Sequence, residues 1–344
     1  MTILAKIWKL LVILLGFAVL REIIQRRKMI SLLGKVVLIT GGSRGLGLAM
    51  ATEFAEQGAR LVLCARNEVD LERARLKLSE LGAEVLVIPG DVSDQEQAHK
   101  TIERATALYG RVDILVNNAG IICVGPWQTQ TRADFEESMN SIFWGTYNMT
   151  MAVLPQMVSR KSGHIVNITS IGGKVSVPHL LSYSSAKFAT VGFSEGLRSD
   201  LAKDGIVVVT IVPGLMRTGS YVNTFMKGDS HRAEYTWFTL LDTLPVSSIS
   251  ARRAARQIVH ATKRGSAELI ITIQAQTIAR LHGLFPGFTA DLLGWLNRFL
   301  PGSKDTSTTR HHGIDSETPI TKSFLTLLGQ HASERYNEQL DKSF

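Results

Sequence analysis

The sequence predicts an α/β fold, a doubly wound parallel sheet with helices on both faces. Two observations predict it. From residue 35 to about residue 275, short apolar runs of strand character alternate with helix-length stretches, the cadence of βαβ units whose parallel strands are buried on both faces. The first run leads directly into the glycine-rich string Thr40-Gly41-Gly42-Ser43-Arg44-Gly45-Leu46-Gly47. Strand, tight glycine turn and helix in succession form a phosphate-binding arrangement.

Taken in order, the first strand is Lys35 to Thr40, and the helix after the glycines runs from Leu46 to Gln57, with Leu46, Met50, Phe54 and Ala55 at helical spacing. Glycines permit positive φ and a close backbone approach, while the free N–H groups and dipole at the helix start attract an anion. Gly41, Ser43, Arg44, Gly45, Leu46 and Gly47 are therefore candidate ligands of a phosphorylated cofactor. A turn without a ligand is the competing reading. The second strand, Arg60 to Asn67, has no carboxylate at its end, where NAD-selective folds place an acid for the ribose hydroxyls. Arg66 at the strand terminus and Arg44 in the loop instead offer two guanidiniums to a 2′-phosphate, a geometry arginine favours. This points to NADP(H); ordinary surface charge is the alternative for either arginine.

Helical stretches at Glu68 to Leu81 and Asp94 to Tyr109 flank a third strand at Ala83 to Ile88, and further strands follow at Val112 to Val116, His164 to Ile168, Val207 to Val212 and Glu268 to Ile273. Ligands of such sheets sit beyond the carboxyl ends of the strands. The glycine loop, Asn118, Ser170 and Pro213 all fall there. The string Tyr183-Ser184-Ser185-Ala186-Lys187 has Ser170 thirteen residues upstream. A spacing of four puts phenol and ammonium on one helix face, and a nearby cation lowers a phenol's pKa toward working pH. A phenol so tuned gives or takes a proton beside a carbonyl. A solvated surface pair is the bland alternative.

At this point the chain resembles the short-chain dehydrogenase/reductase family, over roughly residues 34 to 275. The matching strings occur in order: Thr40 to Gly47, Asp91-Val92, Asn117-Asn118-Ala119-Gly120, Ser170, Tyr183 to Lys187, and Pro213-Gly214 followed by Thr218. The resemblance implies a Rossmann-like catalytic domain with Tyr183 as general acid/base and Ser170 hydrogen-bonded to the substrate oxygen. Lys187 would hold the nicotinamide ribose and tune Tyr183. Asp91, Val92, Asn118, Ala119, Gly120, Pro213, Gly214 and Thr218 join the glycine loop, Arg66, Tyr183 and Lys187 as cofactor contacts, and a homo-oligomer is the family's usual assembly. One departure stands out. Aligned on Gly145, the asparagine that the family uses in its proton relay is Ile142, and Asn140, two residues earlier, faces elsewhere on a regular helix. Only a bulge would bring it round.

After Pro213-Gly214 the regularity lapses from Leu215 to about Pro245, in a segment rich in Met216, Tyr221, Phe225, Met226, Tyr235, Trp237 and Phe238. A segment of this length suits a substrate lid, at about residues 215–245, and its side chains suit a hydrophobic carbonyl or alcohol such as a lipid, steroid, retinoid or long-chain ketone. Residues 276–301 read as an amphipathic extension, with apolar residues at roughly helical spacing interrupted by Pro286. Residues 302–344 read as a polar, partly flexible tail, with Gly302 to Glu317 as a linker to a short helix.

At the other end, Ile3 to Leu20 is apolar except for Lys6 and Lys9, and Arg21, Arg26, Arg27 and Lys28 follow. If the lysines snorkel, the segment just reaches across a bilayer, and the basic flank keeps the following domain on the cytoplasmic side. Residues 1–30 are thus expected to attach the protein to membrane lipids; an interfacial helix, a signal peptide and a helix packed against the fold or a partner are the alternatives. The net charge of +8 comes from scattered residues with no basic stripe interleaved with aromatics, which argues against nucleic acid. Cys64 and Cys123 are the only cysteines, without ligand spacing, so no metal is expected. Two readings stand at this level: a membrane-attached NADP(H)-dependent oxidoreductase, and a membrane-bound NADPH sensor or scaffold without turnover, motivated by Ile142.

Overall fold

The computed structural model describes residues 29–302 and 307–339, together with Trp8 and Gly16. In chain order it begins with β1 (Val36–Thr40), α1 (Gly45–Ala55), β2 (Arg60–Ala65), α2 (Glu68–Ser79), β3 (Val85–Pro89), α3 (Gln95–Tyr109), β4 (Ile114–Asn117) and β5 (Cys123–Val124). There follow α4 (Arg132–Ser138), a π-helical turn (Met139–Trp144), α5 (Gly145–Ser159), β6 (Gly163–Ile168), α6 (Leu181–Leu201), β7 (Ile206–Pro213), β8 (Leu215–Arg217), β9 (Phe225–Lys227) and α7 (His231–Thr243). The remainder is β10 (Ser248–Ser250), α8 (Ala251–Arg264), β11 (Glu268–Ile271), α9 (Ile273–Leu284), α10 (Pro286–Leu296), β12 (Arg310–His312) and α11 (Leu327–Arg335).

Seven strands form one parallel sheet in the order β11-β7-β6-β4-β1-β2-β3. The order reverses at β1, so the crevice between the carboxyl ends of β1 and β4 is the topological switch point, where such sheets bind ligands. The central strands read as unbroken apolar runs because both faces are covered. One core cluster joins Val37, Ile39, Met50 and Phe54 to Ala255 and Ile258 of α8; the other joins Leu38 and Leu115 to Ile102 of α3 and Met149 and Val153 of α5. Local chemistry sets element ends. Asp94 caps α3 by accepting from the N–H groups of Glu96 and Gln97, and Gly110, at φ 79°, closes it in the left-handed conformation that glycine adopts without penalty.

The stretch read as irregular after Pro213-Gly214 contains the thirteen-residue α7, whose buried side chains include Tyr235, Phe238 and Asp242. The described part of the segment read as a polar tail is also structured. Arg310–His312 pairs antiparallel with β9, the rings of His231 and His311 stack with centroids 3.9 Å apart, and Ala332 and Tyr336 enter the core cluster beneath α1. Arg310 bonds to Glu137 and reaches Asp134, which also pairs with the buried Lys227. The apolar residues at 276–301 form α9 and α10, which pack on each other and leave Leu284, Phe285, Phe288, Trp295 and Phe299 exposed. The apolar N-terminal segment expected to reach a membrane lies, apart from Trp8 and Gly16, outside the described residues. Among the described residues, no helix is long and apolar enough to cross a membrane.

Candidate active site

The carboxyl ends of β1, β4, β6 and β7 bring the candidate residues to one cavity of about 1050 Å³. Its floor is set by hydrogen bonds between adjacent turns. Thr40 Oγ1 accepts from the N–H groups of Asn118 (2.9 Å) and Ala119 (3.0 Å), while Asn118 Nδ2 donates to the carbonyls of Thr40 and Gly41. The turn after β4 is thereby tied to the glycine loop. Gly41 and Gly45 have φ of +62° and +55°, and a Cβ on Gly47 would collide with the Gly41 carbonyl. Gly47 does not itself line the cavity; it lets α1 close onto the loop, so its place is packing and not ligand contact.

Asn117 extends this order inward: its amide donates to Asn167 Oδ1 and Thr150 Oγ1, and Asn167 donates to Ser194 Oγ. This buried chain locks α5 and α6 against the strands.

Ser170 follows β6, and its Oγ accepts from the Gly172 N–H at 3.0 Å. Tyr183 and Lys187 lie one turn apart on α6, with Lys187 Nζ 5.6 Å from the tyrosine ring centroid. Lys187 Nζ donates to the Ile168 carbonyl at 2.8 Å, which aims it at the cavity floor. Burial pulls its ammonium down to about 8. The phenol behaves differently from the expectation that Lys187 would lower it: burial pushes Tyr183 up, with a hydrogen bond to Ser170 working the other way. The reason is geometric. Lys187 is itself desolvated and directs a proton at a carbonyl, so the phenol gains little from it in the protein alone.

Ser43, Arg44, Leu46, Arg66, Asp91, Val92, Asn118, Ala119, Gly120, Pro213, Gly214 and Thr218 line the same cavity, with Gly41, Gly45, Ser170, Tyr183 and Lys187. Arg66 is exposed at the rim. Arg44 is engaged: its Nε lies 3.7 Å from Glu338 Oε2, so it is not the open clamp that its loop position suggested.

The family-relay position is decided by the π-helical turn. The Gly145 N–H reaches back five residues to the Asn140 carbonyl, and this bulge rotates Asn140 and Ser141 to the cavity wall. Ile142 is turned away, 1% exposed, against the Gly120 turn. Asn140 was thus excluded by a regular-helix argument whose condition, the absence of a bulge, is not met.

Several lining residues carry no local sequence signal: Glu338 from the chain end, Asp242 on α7, and Asp70 near the start of α2. Asp242 is 5% exposed with an Oδ2 that has no hydrogen-bond partner, and burial raises its carboxyl to about 8. Part of the cavity wall is apolar, built by Val177, Leu180, Trp237, Phe238, Leu241 and Ile278. Trp237 is held by Nε1 donating to Glu234, which also bonds His179.

The family model described as short chain dehydrogenase matches residues 35–227, more than half of the chain. The chain belongs to the short-chain dehydrogenase family. Members bind a nicotinamide cofactor and act on alcohol or carbonyl groups of small molecules. A dehydrogenase/reductase SDR family protein 7-like of Anopheles gambiae is 35% identical over 72% of this chain and 78% of its own length. The mouse dehydrogenase/reductase SDR family member 7B is 34% identical over 79% and 84%. Human estradiol 17-beta-dehydrogenase 11 is 38% identical over 58% of this chain and 67% of its length. The crystal structure of a short-chain dehydrogenase from Streptomyces avermitilis superposes with a TM-score of 0.65 at 29% identity, covering 77% of this chain and 97% of that one.

Proposed function

We propose that this short-chain dehydrogenase is a membrane-attached, NADP(H)-dependent oxidoreductase that interconverts a hydrophobic carbonyl compound and its alcohol. One observation carries the reading: Ser170, Tyr183 and Lys187 share one cavity with the glycine loop and with apolar lining residues. The protein residues fit a nicotinamide dinucleotide. Positive φ at Gly41 and Gly45 and the close approach of Gly47 make the cradle, and Lys187 stands on its floor.

When bound, the nicotinamide supplies or accepts the hydride. Ser170 polarises the substrate oxygen, and Tyr183 donates its proton to that oxygen during reduction and takes it back during oxidation. Lys187, one turn from Tyr183 on the same helix face, would hold the nicotinamide ribose and, with the cofactor in place, add positive charge near the deprotonated phenol. Asn140, brought to the wall by the π-helical turn, is positioned to hold a water for proton resupply. The apolar wall and α7 exclude bulk water and favour a steroid, retinoid, lipid or long-chain ketone, in keeping with the name of the estradiol dehydrogenase relative.

Arg66 at the rim, with Arg44 when released from Glu338, favours a 2′-phosphate. The apolar stretch from Ile3 to Leu20, with its basic flank, is the membrane attachment, and the exposed Phe285, Phe288, Trp295 and Phe299 suit the same bilayer surface. The test is NADPH consumption by detergent-solubilised protein with a panel of hydrophobic ketones and aldehydes, beside Tyr183→Phe and with NADH for comparison. Turnover lost with the tyrosine hydroxyl supports the reading. Tight NADPH binding with no turnover on any compound rejects it in favour of a sensor.

A further inference from the structure

The C-terminal segment makes contacts that a cofactor should make. At the start of α1, the Gly45 N–H is the first donor of the helix terminus that a phosphate would use, and here it donates to the carbonyl of Tyr336 at 2.8 Å. The Glu338 carboxylate lies against the Gly45 Cα, where a Cβ would meet its Oε1, with Thr218 as the next neighbour. Its other oxygen faces Arg44 and accepts from Asn223 Nδ2 at 2.6 Å. Asn337 completes the latch by donating to the Ser43 carbonyl at 3.2 Å and accepting from Lys77 at 2.5 Å. Gly45, Arg44 and Ser43 were each assigned to the cofactor on independent grounds, and the tail engages all three.

We propose that Tyr336–Glu338 is a built-in competitor of the cofactor, with Glu338 as the residue that sets cofactor affinity by placing a carboxylate in the phosphate position at the start of α1. An anion at a helix N-terminus beside a guanidinium is what that position selects, and two anions cannot share it. Cofactor binding therefore lifts the segment. Burial costs Glu338 enough to raise its carboxyl to about 7, with Arg44 and Asn223 opposing; a group held at such cost is readily displaced by a more highly charged phosphate. Because binding requires the open form, the apparent dissociation constant is the intrinsic one divided by the open fraction.

This inference rests on the nicotinamide reading, and the test separates the two. NADPH and NADH affinities are measured by titration for the full-length protein, Glu338→Gln and Asn337→Ala, each first checked for an unchanged melting temperature; amide hydrogen exchange over residues 327–338 is followed with and without NADPH. Glu338→Gln keeps the size of the side chain and removes its charge. The expected result is NADPH binding tightened by about tenfold, as for a latch closed about nine-tenths of the time, with faster exchange over 327–338 when NADPH is added. Unchanged or weaker binding in both variants, with slower exchange on adding NADPH, overturns the proposal and makes the segment a clamp over the cofactor. If neither the wild type nor Glu338→Gln binds either nucleotide, the nicotinamide reading itself falls, and the latch with it.

Discussion

Ile142→Asn restores the family's relay residue by sequence alignment, and the structure predicts that it harms the protein. Ile142 is 1% exposed and its Cγ1 would meet a Cβ on Gly120 at 3.1 Å, so the side chain is packed behind the Asn118-Ala119-Gly120 turn and not directed into the cavity. Losing that apolar burial costs about 1.5–3 kcal/mol. An amide left there without partners adds about 1–3 kcal/mol. The sum, about 4 kcal/mol, is a large share of the roughly 5–15 kcal/mol that holds a domain folded. Ile142→Val, which removes one methyl group, should cost only about 1 kcal/mol. Urea unfolding monitored by tryptophan fluorescence gives the midpoints and slopes, and NADPH consumption gives turnover. The reasoning predicts a markedly lower midpoint for Ile142→Asn with no gain in kcat. A wild-type midpoint together with raised kcat would refute it, because the amide would then have found hydrogen bonds within the cavity.

Tyr183→Phe should lower kcat by about 10²–10⁴-fold, the usual span for a general acid, while NADPH binding stays within a few-fold; loss of binding and turnover together would point to a folding defect. Arg66→Asp should weaken NADPH binding at least about tenfold more than NADH binding, since a charge-assisted bond is worth about 1.5–3 kcal/mol; equal effects on the two titrations would remove Arg66 from 2′-phosphate recognition. Asp242 titrates near 8 in the fold against an ordinary carboxylate value of 3.8. Its contribution to stability is therefore complete below pH 3.8 and is lost as pH rises through about 8. Asp242→Asn should flatten the fall in melting temperature between about pH 4 and pH 8, and an unchanged slope would show that the carboxyl is not buried as described.

Much of the fold was legible because the signals are local. Five consecutive buried residues in β1, the glycines that follow and the helix after them need only neighbouring residues to declare themselves. The same holds for Tyr183 and Lys187, whose spacing on one helix places them together before any tertiary contact is known. The π-helical turn was not legible, since one extra residue in a helix leaves no mark in apolar periodicity, and it reverses which of Asn140 and Ile142 faces the cavity. The polarity of residues 302–344 was a poor guide for a related reason. Ser316, Thr321 and Thr326 are buried through hydrogen bonds within their own segment, which a count of polar residues reads as solvation.

What the sequence by itself determined is the parallel sheet, the glycine turn between β1 and α1 and the shared helix face of Tyr183 and Lys187, because apolar period, glycine placement and short spacing act over a few residues. The tertiary structure alone decided what surrounds those groups. It set burial against a Ser170 hydrogen bond at Tyr183, turned Asn140 toward the cavity, supplied Asp242 from a distant helix, and brought Asn337 to Ser43 across 294 positions of chain. Such contacts depend on desolvation and on the closure of the whole fold, quantities that no local string of residues carries.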